Sequence, residues 1–124
     1  MKVADILKSK GSNIYSVSNI TSVYDALKIM AEKNIGALMV IDNGQLAGIF
    51  SERDYARKII LHGKASHDTA VNEIMTTTVI TVVSTDTLEK CMSLMSENRV
   101  RHLPVVENDT VKGIISISDV VTAI

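Results

Sequence analysis

The sequence predicts an α/β fold, α+β in its detail, made of two copies of one strand–helix–strand–strand–helix unit related by a pseudo-twofold axis and packed sheet to sheet. Three observations predict it. The chain matches itself along most of its length, its apolar spacing switches between helical and strand periods, and the same cap and turn residue types recur in both copies.

At an offset of 65 residues, Gly48-Ile49-Phe50-Ser51-Glu52-Arg53-Asp54 falls on Gly113-Ile114-Ile115-Ser116-Ile117-Ser118-Asp119. Seven of the 17 positions from 38 to 54 are identical at this offset, where average residue usage gives about one. The register runs without a gap from Ile14 on Val79 to Ile59 on Ile124. Upstream, Val3-Ala4-Asp5-Ile6-Leu7 matches Val71-Asn72-Glu73-Ile74-Met75 at an offset of 68, so the first copy carries three extra residues between Lys8 and Asn13. The repeats are therefore residues 1–62 and 63–124, one module in all, joined by the polar stretch from Leu61 to Asp68.

Each copy opens on a short apolar helical piece, Val3–Leu7 or Val71–Met75, and a brief strand, Ile14–Val17 or Val79–Val83. An amphipathic helix follows, with Val23, Ala26, Leu27, Met30 and Ala31 on one apolar face and Leu88, Cys91, Met92 and Met95 repeating it. Ser22 with Asp25, and Asp86 with Glu89, stand three apart where N-terminal caps belong. Two strands come next, Ala37–Ile41 and Leu46–Phe50, turning through Asp42-Asn43-Gly44; their counterparts are His102–Val106 and Val111–Ile115 around Glu107-Asn108-Asp109. Their continuous apolar runs suit strands covered on both faces. A last helix starts near Ser51 and near Ser116. Neither copy buries its sheet face well alone, so the two are expected to pack together.

The totals narrow the function classes. At 124 residues, 46% hydrophobic and 22% charged, the chain suits one globular module. A net charge of −1 gives no general attraction to nucleic acid or an anionic membrane. The longest apolar runs fall well short of the roughly 20 residues a bilayer requires. An acid at position five argues against a secretory signal, and a single cysteine, Cys91, makes no internal disulfide, which together point to a reducing cytoplasm.

The repeated Gly-x-x-Ser-x-x-Asp carries the chemistry. Gly48 and Gly113 permit close approach to the strand backbone. Ser51 and Ser116 sit where a strand becomes a helix, offering a hydroxyl and helix N–H groups to an oxyanion. Asp54 and Asp119, one turn on, present a carboxylate that suits the paired hydroxyls of a ribose. The alternative is structural: each Ser and Asp caps its helix and offsets the helix dipole.

With these motifs in place, the chain resembles a tandem pair of CBS domains, a Bateman module, from Val3 to Ile124. The resemblance implies a regulatory, non-catalytic sensor that binds an adenine nucleotide (AMP, ADP, ATP or NAD) between its repeats, with S-adenosylmethionine as an alternative ligand. It also implies that Ser51 and Asp54 serve one site and Ser116 and Asp119 the other. Ile49 and Ile114 become candidates for contact with the base, as do the segments around Thr78, Val79 and Ile80 and around Ile14 and Tyr15. Ahead of the third long strand, Val100-Arg101-His102-Leu103-Pro104 stands where the first copy has Ile35-Gly36-Ala37-Leu38-Met39. Family members often place basic residues here, so Arg101 and His102, with Pro104 beside them, are expected to make the Asp54 site the tighter one for phosphates. Arg53 is a further phosphate candidate; a solvated edge is the other reading of Arg101 and His102, and a solvated helix-start charge that of Arg53. Pairs of this family commonly dimerise, which predicts a homodimer, with the helix faces of Val23, Met30, Met92 and Tyr55 as candidate surface. A purely structural module with empty clefts is the competing function.

Other signals carry less. His62, His67 and His102 have no companions at metal-ligand spacing, so no metal is expected. Cys91 and the Met30, Met92 and Met95 stripe read as core. There is no Gly-rich phosphate loop and no pairing of a nucleophile with a base, so no catalytic residue is assigned.

Overall fold

Two hydrophobic clusters organise the protein into a contiguous unit, residues 15–78, and a discontinuous one, residues 1–14 with 79–124. The structure, a computed structural model, describes residues 1–11 and 13–124. Ser12, inside the stretch where the first copy is longer, lies outside the described residues. The chain opens with α1 (Val3–Lys10), which belongs to the discontinuous unit.

In the contiguous unit, β1 (Ser16–Val17) runs parallel to β2 (Ala37–Asp42), and β2 pairs antiparallel with β3 (Gln45–Ser51). Between β1 and β2 lies α2 (Val23–Lys33), capped by Ser22, whose Oγ accepts from the Asp25 N–H at 3.1 Å. The helix ends at Asn34 in the left-handed conformation (φ 54°), which lets the chain reverse into β2. The β2–β3 turn uses Asn43 and Gly44 with φ of 51° and 78°, the positive values a two-residue hairpin requires. After β3, a single turn, α3 (Glu52–Asp54), widens into a π-type segment from Tyr55 to Ile60. Val23, Ala26 and Met30 of α2 pack against Leu38, Val40 and Phe50 of the sheet, and Ile59, Val71 and Ile74 close the cluster.

The discontinuous unit repeats this plan with α4 (Leu88–Asn98), β4 (His102–Glu107), β5 (Thr110–Ser116) and α5 (Ile117–Ala123). Its core joins Val3 and Ile6 of α1 to Val82, Leu88, Cys91, Met95, Leu103, Val105, Ile115 and Val120. Both hairpins slip register at the same place, between Val40 and Ile41 and between Val105 and Val106, so the bulge is part of the repeat.

Several local expectations change. Val79–Val83 is not a strand; it contributes one parallel bridge, Val82 to Val105, and the Val83 N–H turns to the Asp86 carboxylate instead of the sheet. The helical piece read at Val71–Met75 is shorter, a 3-10 turn over Val71–Glu73. The α4 cap is Thr87, whose Oγ1 accepts from the Lys90 N–H at 3.1 Å; Asp86 instead accepts from the Val83 N–H at 2.8 Å and from Lys90 Nζ at 3.0 Å. Ala31 and Met92 lie on the solvent side of their helices. Val23 and Met30, proposed as dimer surface, are 0% and 3% exposed and belong to the core, whereas Met92 is exposed and Tyr55 half-buried.

Candidate ligand sites at Asp54 and Asp119

The end of β3 turns into α3 through a reciprocal cap. The Ser51 N–H donates to Asp54 Oδ2 at 3.0 Å, the Ser51 hydroxyl donates to the same oxygen at 3.1 Å, and the Asp54 N–H donates to Ser51 Oγ at 3.2 Å. Two further donors reach the other carboxylate oxygen: Lys58 Nζ lies 3.0 Å from Oδ1 and the Thr76 hydroxyl 3.3 Å. An ionised carboxylate offers about four acceptor positions. Four donors therefore fill Asp54, which is buried.

Asp119 shares only the cap. The Ser116 N–H donates to its Oδ2 at 2.8 Å and its own N–H donates to Ser116 Oγ at 3.2 Å. Lys10, the last residue of α1, places Nζ 2.7 Å from Oδ2 and 2.8 Å from the Ile114 carbonyl oxygen. Oδ1 accepts no hydrogen bond from the described residues, and the Asp119 side chain is 19% exposed against 10% for Asp54. Burial alone would raise the Asp119 pKa, but the hydrogen bond and charge of Lys10 and the Ser116 N–H outweigh it and hold the carboxyl below its ordinary value.

What approaches the two glycines also differs. A Cβ on Gly48 would lie 2.8 Å from the Thr76 carbonyl oxygen and 2.7 Å from the Met75 sulfur. On Gly113 it would meet only the end of the Leu7 side chain, at 2.7 Å. The close approach read from sequence as room for a ligand is made, in both units, by the opening segment of the other sequence repeat, around Thr76 for Gly48 and at Leu7 for Gly113. In the contiguous unit Thr76 also exchanges main-chain hydrogen bonds with Ile49, at 3.0 and 2.9 Å.

The other sequence candidates fall on both units. Ile49, Ser51, Arg53 and Asp54 lie together around the end of β3, with Tyr15 and Thr78 exposed at the borders of the same unit; Lys33 Nζ stands 5.3 Å from the centre of the Tyr15 ring. Arg101, His102, Pro104, Ile114, Ser116 and Asp119 belong to the discontinuous unit, as do Ile14, Val79 and Ile80. There His102 pairs with Ser116 and Pro104 with Ile114 across the hairpin, and the Ile117 N–H donates to the Arg101 carbonyl at 2.9 Å. Arg101 and His102 thus adjoin the Asp119 cap through the main chain.

Three site residues escaped the sequence reading: Lys10, Lys58 and Thr76. The three-residue surplus between Lys8 and Asn13 was the available signal for Lys10, since it lengthens α1 beyond the Val3–Leu7 match. Lys58 aligns with Ala123, so the repeat comparison hid it. Cys91 is fully buried, and burial pushes its thiol pKa up, in keeping with a core position. Among the described residues no group of three or more His, Cys, Asp or Glu could hold a metal, and no helix is long and apolar enough to cross a membrane.

The CBS domain profile matches residues 3–61 and 71–124, one match to each copy of the repeat. The chain belongs to the CBS-domain family. It is 42% identical over 132 residues to the mitochondrial CBS domain-containing protein CBSX3 of Arabidopsis thaliana, covering 98% of this chain and 64% of that protein. Among solved structures, a protein with CBS domains from Burkholderia ambifaria MC40-6 is 48% identical and superposes with a TM-score of 0.95, over 99% of this chain and 93% of that one. The CBS pair of protein MJ0100, in complex with 5′-methylthioadenosine and S-adenosylmethionine, is 28% identical with a TM-score of 0.87, over 99% and 94% of the two chains. A hexameric CBS-CP12 protein from bloom-forming cyanobacteria is also 28% identical, with a TM-score of 0.88, over 98% of this chain and 71% of that one. The relatives named here are CBS-domain proteins, and the chain spans about two thirds of the length of the Arabidopsis one.

Proposed function

We propose that this CBS pair is a non-catalytic sensor of an adenosine-containing ligand, AMP, ADP, ATP or NAD, with S-adenosylmethionine as the second candidate, and that the ribose binds a carboxylate of the repeated Ser-x-x-Asp. The observation that carries the reading is Asp119: a carboxylate fixed by its cap, with one oxygen open, beside the Ile114 backbone. The complex of MJ0100 with two adenosine compounds supports the class. Binding would act by population shift, stabilising one arrangement of the module for a partner to read. The filled shell of Asp54 favours a structural role for that carboxylate, so Ser51 and Asp54 take a ligand only if Thr76 or Lys58 gives way.

Calorimetric titration with adenosine, AMP, ATP, NAD and S-adenosylmethionine tests the proposal. Saturable binding lost in Asp119→Ala is the expected result; binding indifferent to both Asp119→Ala and Asp54→Ala leaves the caps as purely structural. Arg101→Ala is expected to weaken AMP and ATP more than adenosine. We further propose a homodimer, for which sedimentation showing only a 13.5 kDa species at tens of micromolar is the contrary result.

A further inference from the structure

We propose that Lys10 is the specificity-determining residue of the Asp119 site, selecting phosphate-bearing adenosine ligands over the bare nucleoside. The inference rests on the adenosine reading above and adds to it which member of that class the site prefers. The Lys10 ammonium occupies Asp119 Oδ2 at 2.7 Å and the Ile114 carbonyl at 2.8 Å, two acceptors at the place where a ribose and its base are proposed to bind. It fills, in this unit, the part that Thr76 plays in the other, where the hydroxyl meets Asp54 and the main chain meets Ile49. A threonine hydroxyl carries no charge and sits on a short, fixed stem. Lys10 is a cation at the end of a helix, on a flexible four-carbon stem, with 32% of its side chain exposed.

These properties make the contact a competitor for one ligand and a partner for another. A neutral ribose diol that spans both carboxylate oxygens of Asp119 takes the open Oδ1 with one hydroxyl, displaces the ammonium from Oδ2 with the other, and offers it no anion in return. A nucleotide displaces it equally, but its phosphate, carried on the same ribose, supplies a new charge-assisted partner within the reach of the lysine stem. Lys10 therefore opposes adenosine and favours AMP, so its removal changes the two affinities in opposite directions. A lysine that merely braced α1 would move both affinities together.

The experiment titrates the full chain and its Lys10→Met variant with adenosine and with AMP, the site being defined by the heat that Asp119→Ala removes. Lys10→Met is expected to weaken AMP by about ten- to a hundredfold, the worth of one charge-assisted phosphate contact, and to strengthen adenosine. Lys10→Arg is expected to keep the preference for AMP. If Lys10→Met fails to fold, Lys10→Gln removes the charge while keeping a donor for Ile114 and gives the same reading. Affinities that stay put, or that fall together, overturn the role of Lys10 and leave the adenosine reading standing. No heat from either ligand on the unaltered chain overturns the adenosine reading and the role of Lys10 with it.

Discussion

The two capped aspartates occupy identical places in the repeat and live in different surroundings. Asp54 is buried and meets four donors, two of them from side chains the other copy lacks at matching positions. Asp119 meets the cap and one partly exposed ammonium, and keeps an oxygen open. Duplication preserved the cap, which depends on neighbours three residues apart, and let the contacts from distant segments diverge. A motif repeated in sequence is therefore two different devices: a closed joint in one unit and an accessible carboxylate in the other.

The strongest way to break this comparison is at the glycines. Gly48→Ala forces a Cβ against the Thr76 carbonyl, which belongs to backbone and cannot rotate aside, so a loss of about 2–3 kcal/mol is expected. Gly113→Ala meets only a Leu7 methyl that has other rotamers, and a loss below about 1 kcal/mol is expected. Urea unfolding of the two variants measures both, and equal losses would remove the distinction.

The aspartates come next. Asp54→Ala strips partners from Ser51, Thr76 and Lys58 together and is expected to cost about 2 kcal/mol, discounted because the Lys58 side chain is 43% exposed. Asp119→Ala leaves Lys10 its hydrogen bond to Ile114 and enough solvent to rehydrate, so about 1 kcal/mol is expected, with the larger effect on ligand binding. Thermal melts of both variants, with and without AMP, separate stability from binding.

Much of this was legible from spacing. The hairpins, the α2 cap at Ser22 and both Ser-x-x-Asp caps follow from local rules, and the structure has them. The α4 cap was misread locally: Asp86 is drawn off by Val83 and Lys90, three and four residues away, while the repeat register places Thr87 on the Ser22 cap. The other misreadings came where tertiary packing decides. Met92 fits an apolar stripe by type yet faces solvent, because Leu88, Cys91 and Met95 already fill the facing surface. For Lys10 the surplus marked only a longer α1; its partner, 109 residues away, lay beyond local rules.

The smallest effect expected is in acid. Asp119, Asp86 and Glu107 all have carboxyls held below their ordinary values, and all lie in the discontinuous unit. Burial is the largest influence on Asp119 and is overcome by Lys10 and Ser116; for Asp86 the Val83 N–H leads, and for Glu107 the contacts of Ser84. A depressed folded pKa gives stability that is complete above the unfolded value, about 4, and is lost as pH falls through the folded one. Amides of β4 and β5 are expected to lose hydrogen-exchange protection as pH drops below about 4, and Lys10→Met is expected to shrink the Asp119 share. Protection unchanged down to pH 2 would contradict this.

The split of the chain into residues 15–78 and residues 1–14 with 79–124 also sets an order of events during synthesis. The contiguous unit has all its parts once residue 78 has left the ribosome. The helix made first must wait for the strands made last, because Val3 and Ile6 share a core with Val105 and Ile115. Closing so long a loop is slow compared with local pairing. Until then the α1 segment, eight residues long and too short to hold a helix by itself, lacks its core partners, and the Lys10–Asp119 contact is among the last that the growing chain can make.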